Sequence, residues 1–182
     1  MTDTFTIAPF TSDQRDAVWR LRLRALKDHP QSFGQPWESA KSMTTAEITQ
    51  LAATFWTGGD NQLFVACNQA KEPVAMLGIF REQRERERHR MRIWGVYTAP
   101  EYRGRGIATD LARSAINYAR GLEGVLQIHL AVWSANAPAI ASYTRLGFKR
   151  WGTMPRADIV DGKAVDYDHM VLMLDQPNVI NN

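Results

Sequence analysis

Between a β-rich stretch and a helical pattern lies Pro100-Glu101-Tyr102-Arg103-Gly104-Arg105-Gly106-Ile107-Ala108. Glycines at 104 and 106 and an alanine at 108 let a ligand approach the backbone closely. Free N–H groups at a helix start, together with the positive end of its dipole, favour a phosphate. Arg103 and Arg105 add charge and directed donors. The chemistry expected of this turn is anion binding, and a tight strand-to-helix turn with solvated arginines is its structural alternative. It is not a P-loop, because no Gly-Lys-[Ser/Thr] follows the glycine. Nor is it a dinucleotide fingerprint, since the glycine spacing differs and an antiparallel hairpin precedes it. Farther along, Asn136 and Tyr143 stand two helical turns apart and so share one helix face. Asn136 can be a helix cap, and Tyr143 can be a core aromatic.

Two stretches resemble a known family. Arg103-x-x-Gly106-x-Ala108 matches the Q/R-x-x-G-x-G/A signature of the GNAT acetyltransferases. Asn136-x-x-Ala139-x-x-x-Tyr143-x-x-x-Gly147-Phe148 resembles the helix that follows that family's fifth strand. The motifs occur in the family's order, separated by one helix and one strand. The resemblance runs over Phe5 to Leu174 and is sharpest over Trp94 to Asp110 and Leu130 to Phe148. It implies acetyl-CoA as co-substrate and an amine as acceptor, with no metal. It further implies that the backbone amides of Arg103, Gly104, Arg105, Gly106, Ile107, Ala108 and Thr109 hold the pyrophosphate. The pantetheine arm is implied to pair with the free edge of the preceding strand, at Val96, Tyr97 and Thr98. An exposed strand edge offers the unpaired groups which that mode needs. Asn136 then contacts the arm or orders the site, and Tyr143 protonates the departing thiolate.

The general base departs from the pattern. Amines near pKa 10 are mostly protonated at pH 7, so one proton must leave before attack. Many family members carry a glutamate eight residues ahead of the proline; here that position is Arg92, and no carboxylate lies between Arg88 and Pro100. Glu38, Glu82 and Asp168 are candidates by type, and a water chain without a dedicated base is equal to them. The acceptor is expected between Gln31–Lys41 and Met154–Asp168, where Phe33, Trp37, Trp56 and Trp94 can line an apolar pocket or simply pack. Nothing selects among a peptide N-terminus, a polyamine, an antibiotic and an amino acid. His89, His129 and His169 have no spacing of metal ligands, and Cys67 has no motif around it.

These residues need elements to position them. Phe5–Pro9 reads as a short strand. Thr11-Ser12-Asp13-Gln14 is a capping box, and Val18, Leu21, Ala25 and Leu26 keep helical spacing until His29-Pro30. Gln31–Lys41 reads as a loop. Thr44 and Glu47 form a second capping box, opening a helix through Phe55. Leu63–Cys67, Val74–Phe80 and Met91–Thr98 are strands, with the Arg/Glu-rich Arg81–Arg92 as a hairpin tip. Ile107, Leu111, Ala115 and Ala119 mark a helix that ends at Gly121. Val125–Val132 is a nearly continuous apolar strand, which predicts burial on both faces. A helix capped by Asn136 ends at Leu146-Gly147. Phe148–Val160 and Lys163–Leu174 are the last strands, around an Asp161-Gly162 turn. The fold class is α/β: one domain over 1–182, with a core of about 5–175. Its sheet is mixed and largely antiparallel, flanked by helices.

Composition sets the remaining bounds. With 182 residues, 45% hydrophobic and 23% charged, the chain can bury a core without staples. One cysteine excludes an internal disulfide. No run approaches the ~20 apolar residues of a membrane span, and Met1-Thr2-Asp3-Thr4 lacks a signal-peptide pattern, so a cytoplasmic protein without a membrane partner is expected. The net charge of +3 suits a small anionic ligand more than nucleic acid. In Arg81–Arg92, Glu82, Glu85 and Glu87 cancel most of the attraction to a phosphate backbone. That tip reads as a solvated face, with contact to a partner subunit in a homodimer or to an acidic substrate as the alternative. The rival to an acetyltransferase is an acyl-CoA-binding regulatory domain that has lost catalysis.

Overall fold

The computed structural model describes residues 4–174. The elements are β1 (Thr6–Pro9), α1 (Arg15–Asp28), α2 (Trp37–Lys41), α3 (Thr45–Phe55), β2 (Asn61–Cys67), β3 (Pro73–Arg81), β4 (Arg90–Thr98), α4 (Ile107–Arg120), β5 (Gln127–Trp133), α5 (Ala137–Arg145), β6 (Lys149–Val160) and β7 (Lys163–Met173). One seven-stranded sheet runs in the order β1-β2-β3-β4-β5-β7-β6. All neighbours are antiparallel except β4 and β5. This is the expected mixed, largely antiparallel α/β architecture. Among the described residues no helix is long and apolar enough to cross a membrane.

The capping residues act where the spacing placed them. Gln14 Oε1 accepts from the Thr11 amide at 3.2 Å. Thr44 and Glu47 satisfy each other's amides at the start of α3, which removes two orphan donors from a helix end. Helices α1, α2 and α3 pack one face of the sheet through Val18, Leu26, Ala52, Trp56 and Met76. On the other face, α4 presents Ile107, Leu111, Ala115 and Ala119 to Leu77, Ile79, Met91 and Ile128.

Two expectations need correction. Gln31–Lys41 is not all loop, since α2 occupies its second half; five residues are too few to show a periodicity. Nor is β5 buried on both faces. Ile128, Leu130 and Val132 are buried while Gln127, His129 and Ala131 alternate outward, because no helix covers that side.

Strand β4 is the element on which the site depends. It meets β5 only at Arg90–Gln127, Met91–Ile128 and Arg92–His129. Beyond Arg92 the two strands part, although β4 stays paired with β3 as far as Thr98. Gly95, at φ +62°, breaks the strand's alternation. Met91 and Ile93 face the α4 core, while Trp94 and Tyr97 face the α1 side. An extra residue in one strand flips the facing parity and bends the strand. Opposite Trp94, Gly78 lacks the Cβ that would collide with the indole, so the ring lies over β3.

Candidate active site

The parting of β4 from β5 opens a cleft of about 720 Å³. Its walls are Val96–Thr98, the 102–109 turn, Trp133, the start of α5 and the segment from His29 to Phe33. Of the sequence-predicted site residues, Val96, Tyr97, Thr98, Arg103, Gly104, Arg105, Gly106, Ile107, Ala108, Thr109 and Asn136 all line it.

At the turn, Gly104 and Gly106 hold φ of +76° and +79°, and a Cβ on either would enter open space. Gly106 is the N-cap of α4. The amides of Gly104, Gly106, Ile107, Ala108 and Thr109 have no acceptor among the described residues, whereas Asp110 N–H already donates to Gly106 O. Open amides at a helix start with positive dipole charge form an anion site. The Arg103 amide differs from expectation, because it donates to Pro100 O at 3.2 Å.

The arginines are positioned by the chain itself. Arg103 Nε donates to Thr98 O at 3.0 Å, and its Nη2 lies 2.7 Å from His29 Nε2. Arg105 Nη2 donates to Glu101 O at 3.1 Å, and its guanidinium faces the Tyr102 ring. Glu101 in turn takes a bidentate pair from Arg24 at 2.6 and 2.8 Å. Beneath the arginines, Tyr97 donates its hydroxyl to Asp28 at 2.7 Å. Burial, then that hydrogen bond, push the Tyr97 pKa well above the usual phenol value.

Across the cleft, Asn136 Oδ1 accepts from Ala139 N–H at 3.3 Å and so caps α5. The cap and the cleft wall are the same residue. The Thr109 and Ser142 hydroxyls, 2.9 Å apart, tie α4 to α5. Tyr143 is not among the lining residues. Its ring packs edge-on to Phe148 in the core with 9% of the residue exposed, and burial raises its pKa. The hydroxyl has no hydrogen-bond partner among the described residues.

The acidic candidates lie apart from the cleft. Glu38 pairs with Lys41 at 2.6 Å on α2, and Glu82 pairs with Arg92 at 2.8 Å. Asp168 is 2% exposed and accepts from Thr153, Ser134 and Arg150 at 2.7–3.0 Å. Those bonds, led by Thr153, lower its pKa and make it a structural junction of β5, β6 and β7. Among the described residues no carboxylate lines the cleft. Of the aromatics, Phe33 lines both the cleft and a second hollow, and Trp37 lines the second hollow. Trp56 is core, and Trp94 lies on Gly78.

Two residues escaped the sequence reading. His29 was read as a helix stop; it also walls the cleft. Burial first, then the nearby Arg103, lower its pKa. Arg22 lies on the buried stripe of α1, and burial pulls its pKa down to about 10. The signal for it was present: a charge within the apolar positions Val18, Ala25 and Leu26.

Solved structures share this fold. An acetyltransferase of GNAT family from Streptococcus pneumoniae superposes with a TM-score of 0.83 at 18% identity, covering 94% of this chain and 100% of that one. A phosphinothricin acetyltransferase from Sinorhizobium meliloti, solved with AcCoA, gives 0.81 at 20% identity, covering 96% and 89%. The mycothiol acetyltransferase of Actinosynnema mirum is 28% identical over 136 residues, which are 75% of this chain and 41% of that relative. The chain thus spans less than half the length of that curated relative. Residues 21–148, which run from α1 through the glycine-rich turn to Phe148, match the model of the acetyltransferase (GNAT) family, and the chain belongs to that family.

Proposed function

We propose that the protein transfers the acetyl group of acetyl-CoA to an amine by direct attack in a ternary complex. The observation that carries this reading is the cleft itself. The open amides of Gly104, Gly106, Ile107, Ala108 and Thr109 suit a pyrophosphate at one end, and the unpaired edge of β4 offers strand-like partners at the other. The mycothiol acetyltransferase by name and the AcCoA-bound relative support the donor and the reaction type. In this reading the turn and its arginines bind the phosphates, and the β4 edge straightens the pantetheine arm. The acceptor nitrogen attacks the thioester carbonyl, the C–S bond breaks, and the Tyr143 hydroxyl gives its proton to the sulfur. That hydroxyl has no competing partner among the described residues. The ammonium loses one proton to water before attack, because His29 Nε2 already accepts from Arg103; the second nitrogen proton, released as the amide forms, restores the Tyr143 hydroxyl by way of water. The absence of a strand carboxylate motivates the rival, a CoA-binding domain without catalysis. Release of CoA thiol from acetyl-CoA with a panel of amines decides between them; CoA binding without release on any amine favours the rival.

A further inference from the structure

The wall that α5 gives to the cleft carries a cation which the glycine-rich turn does not account for. Ala139, Ser142 and Arg145 stand at three-residue intervals along α5, and all three line the cleft. Such spacing keeps side chains on one helix face. The stripe begins just after Asn136, the N-cap of α5. In its middle, Ser142 Oγ lies 2.9 Å from Thr109 Oγ1, so this part of α5 is docked on the first turn of α4. Arg145 follows three residues later, about 4.5 Å farther along the helix axis.

Arg145 differs from the other two arginines of the cleft. Arg103 is held by Thr98 O and His29, and Arg105 by Glu101 O. Arg145 is exposed and has neither an acceptor nor a carboxylate partner among the described residues. No described carboxylate lines the cleft to neutralise it. It does stand in the last turn of α5, where a cation complements the helix dipole. That role is indifferent to what enters the cleft, so the two roles can be separated.

The chemistry of CoA supplies the missing anion. Its pyrophosphate joins the pantetheine arm to the 5′ carbon of a ribose, and the 3′ carbon of the same ribose carries a phosphate monoester. That monoester is mostly a dianion at pH 7, its second pKa being about 6. With the pyrophosphate on the open amides at the start of α4, the monoester lies one ribose away from that helix end. Arg145 is the cation on the neighbouring wall whose donors are unspent.

We infer that Arg145 binds the 3′-phosphate of CoA and makes the cleft select CoA over its 3′-dephospho form; this rests on acetyl-CoA occupying the cleft, as read above, and not on the transfer step. A guanidinium offers two parallel N–H donors to two oxygens of one phosphate. The contact holds the donor by a group remote from the thioester, so it sets which cofactor enters and leaves the chemistry alone.

Calorimetry with CoA and with 3′-dephospho-CoA, which keeps the pyrophosphate, tests this at a pH of about 7.5, where the monoester is a dianion. Wild type is expected to bind CoA at least tenfold tighter than the dephospho form, about 1.4 kcal/mol. Arg145→Gln brings the two affinities together by weakening CoA and leaving dephospho-CoA unchanged. Arg145→Lys keeps part of the difference, as a point charge without the fork. Arg120→Gln removes the same charge from the far end of α4 and keeps the wild-type ratio. Equal affinities in wild type overturn the inference. So does an Arg145→Gln protein that keeps the wild-type ratio, whatever its melting temperature, because a helix-end cation alone moves stability and not the ratio. A variant that weakens both ligands equally also overturns it and assigns Arg145 to the pyrophosphate or the fold. If wild type binds neither ligand, the reading of the cleft as a CoA site falls as well, whereas equal binding of the two strikes this inference alone.

Discussion

Arg103 Nη2 lies 2.7 Å from His29 Nε2. A guanidinium only donates, so this imidazole nitrogen accepts, and the ring is neutral with its proton on Nδ1. The contact ties the end of α1 to the glycine-rich turn.

His29 is expected to titrate below its ordinary 6.5, through burial and the neighbouring Arg103. Its neutral form is the one the fold favours. The contribution to stability is therefore full above about pH 6.5 and is lost as pH falls below that toward the folded-state value. In an NMR titration, Arg103→Met moves the His29 midpoint partway back up. A midpoint that stays put in the variant removes Arg103 as a cause.

Gly106→Val is expected to weaken CoA binding at least tenfold, about 1.4 kcal/mol, and to lower the melting temperature. A branched residue at φ +79° is strained, and its side chain points into the open cleft. Gly106→Asn separates the two effects, because asparagine tolerates this backbone. It should keep most of the stability and still lose affinity. Full CoA affinity in both variants would leave the turn a structural connection only.

Arg103→Ala and Arg105→Ala should each raise the CoA dissociation constant more than that of pantetheine, which lacks the phosphates. Arg103 also holds Thr98 O at 3.0 Å, so its loss should weaken pantetheine slightly, while loss of Arg105 should not. Parallel calorimetry on both ligands reads the difference, and equal weakening would assign both side chains to the fold.

For Tyr143→Phe the expected result is acetyl-CoA affinity within a few fold of wild type and kcat lower by at least tenfold. Positioned proton transfer typically contributes 10²- to 10⁴-fold. The ring packs on Phe148, and phenylalanine keeps that contact, so the melting temperature should hardly move. Because the Tyr143 pKa is raised, the acid stays protonated well into alkaline pH, and no fall in rate from it is expected near pH 9 to 10. Wild-type kcat in the variant on a competent acceptor would reduce Tyr143 to a core aromatic.

Much of this was legible in the chain. Glycines, arginines and the Asn136 cap announced the turn and α5, because those residues act through local backbone geometry. The capping boxes at Thr11 and Thr44 did the same for α1 and α3. What escaped depends on distant parts of the sheet. The flip at Gly95 arises from pairing with β3, where Gly78 makes room for Trp94, and no local pattern shows it. Val125–Val132 looked doubly buried because apolar content alone does not reveal which face a helix covers. Tyr143 shares a helix face with Asn136 in the sequence, yet its ring turns into the core toward Phe148, a partner fixed only by tertiary packing. Arg22 was passed over as one charge among many on α1; its isolation appears only once Trp94 and Gln35 enclose it.

The seam between β4 and β5 has a mechanical meaning. Three residue pairs join β1–β4 to β5–β7 within the sheet, and the α4 core beneath them carries the rest of the connection. A ligand hydrogen-bonded along the free edge of β4 would extend the sheet where β5 has parted from it. A ligand bound along that edge is expected to slow amide exchange over Ile93–Thr98, so exchange with and without CoA reads how far the seam is bridged.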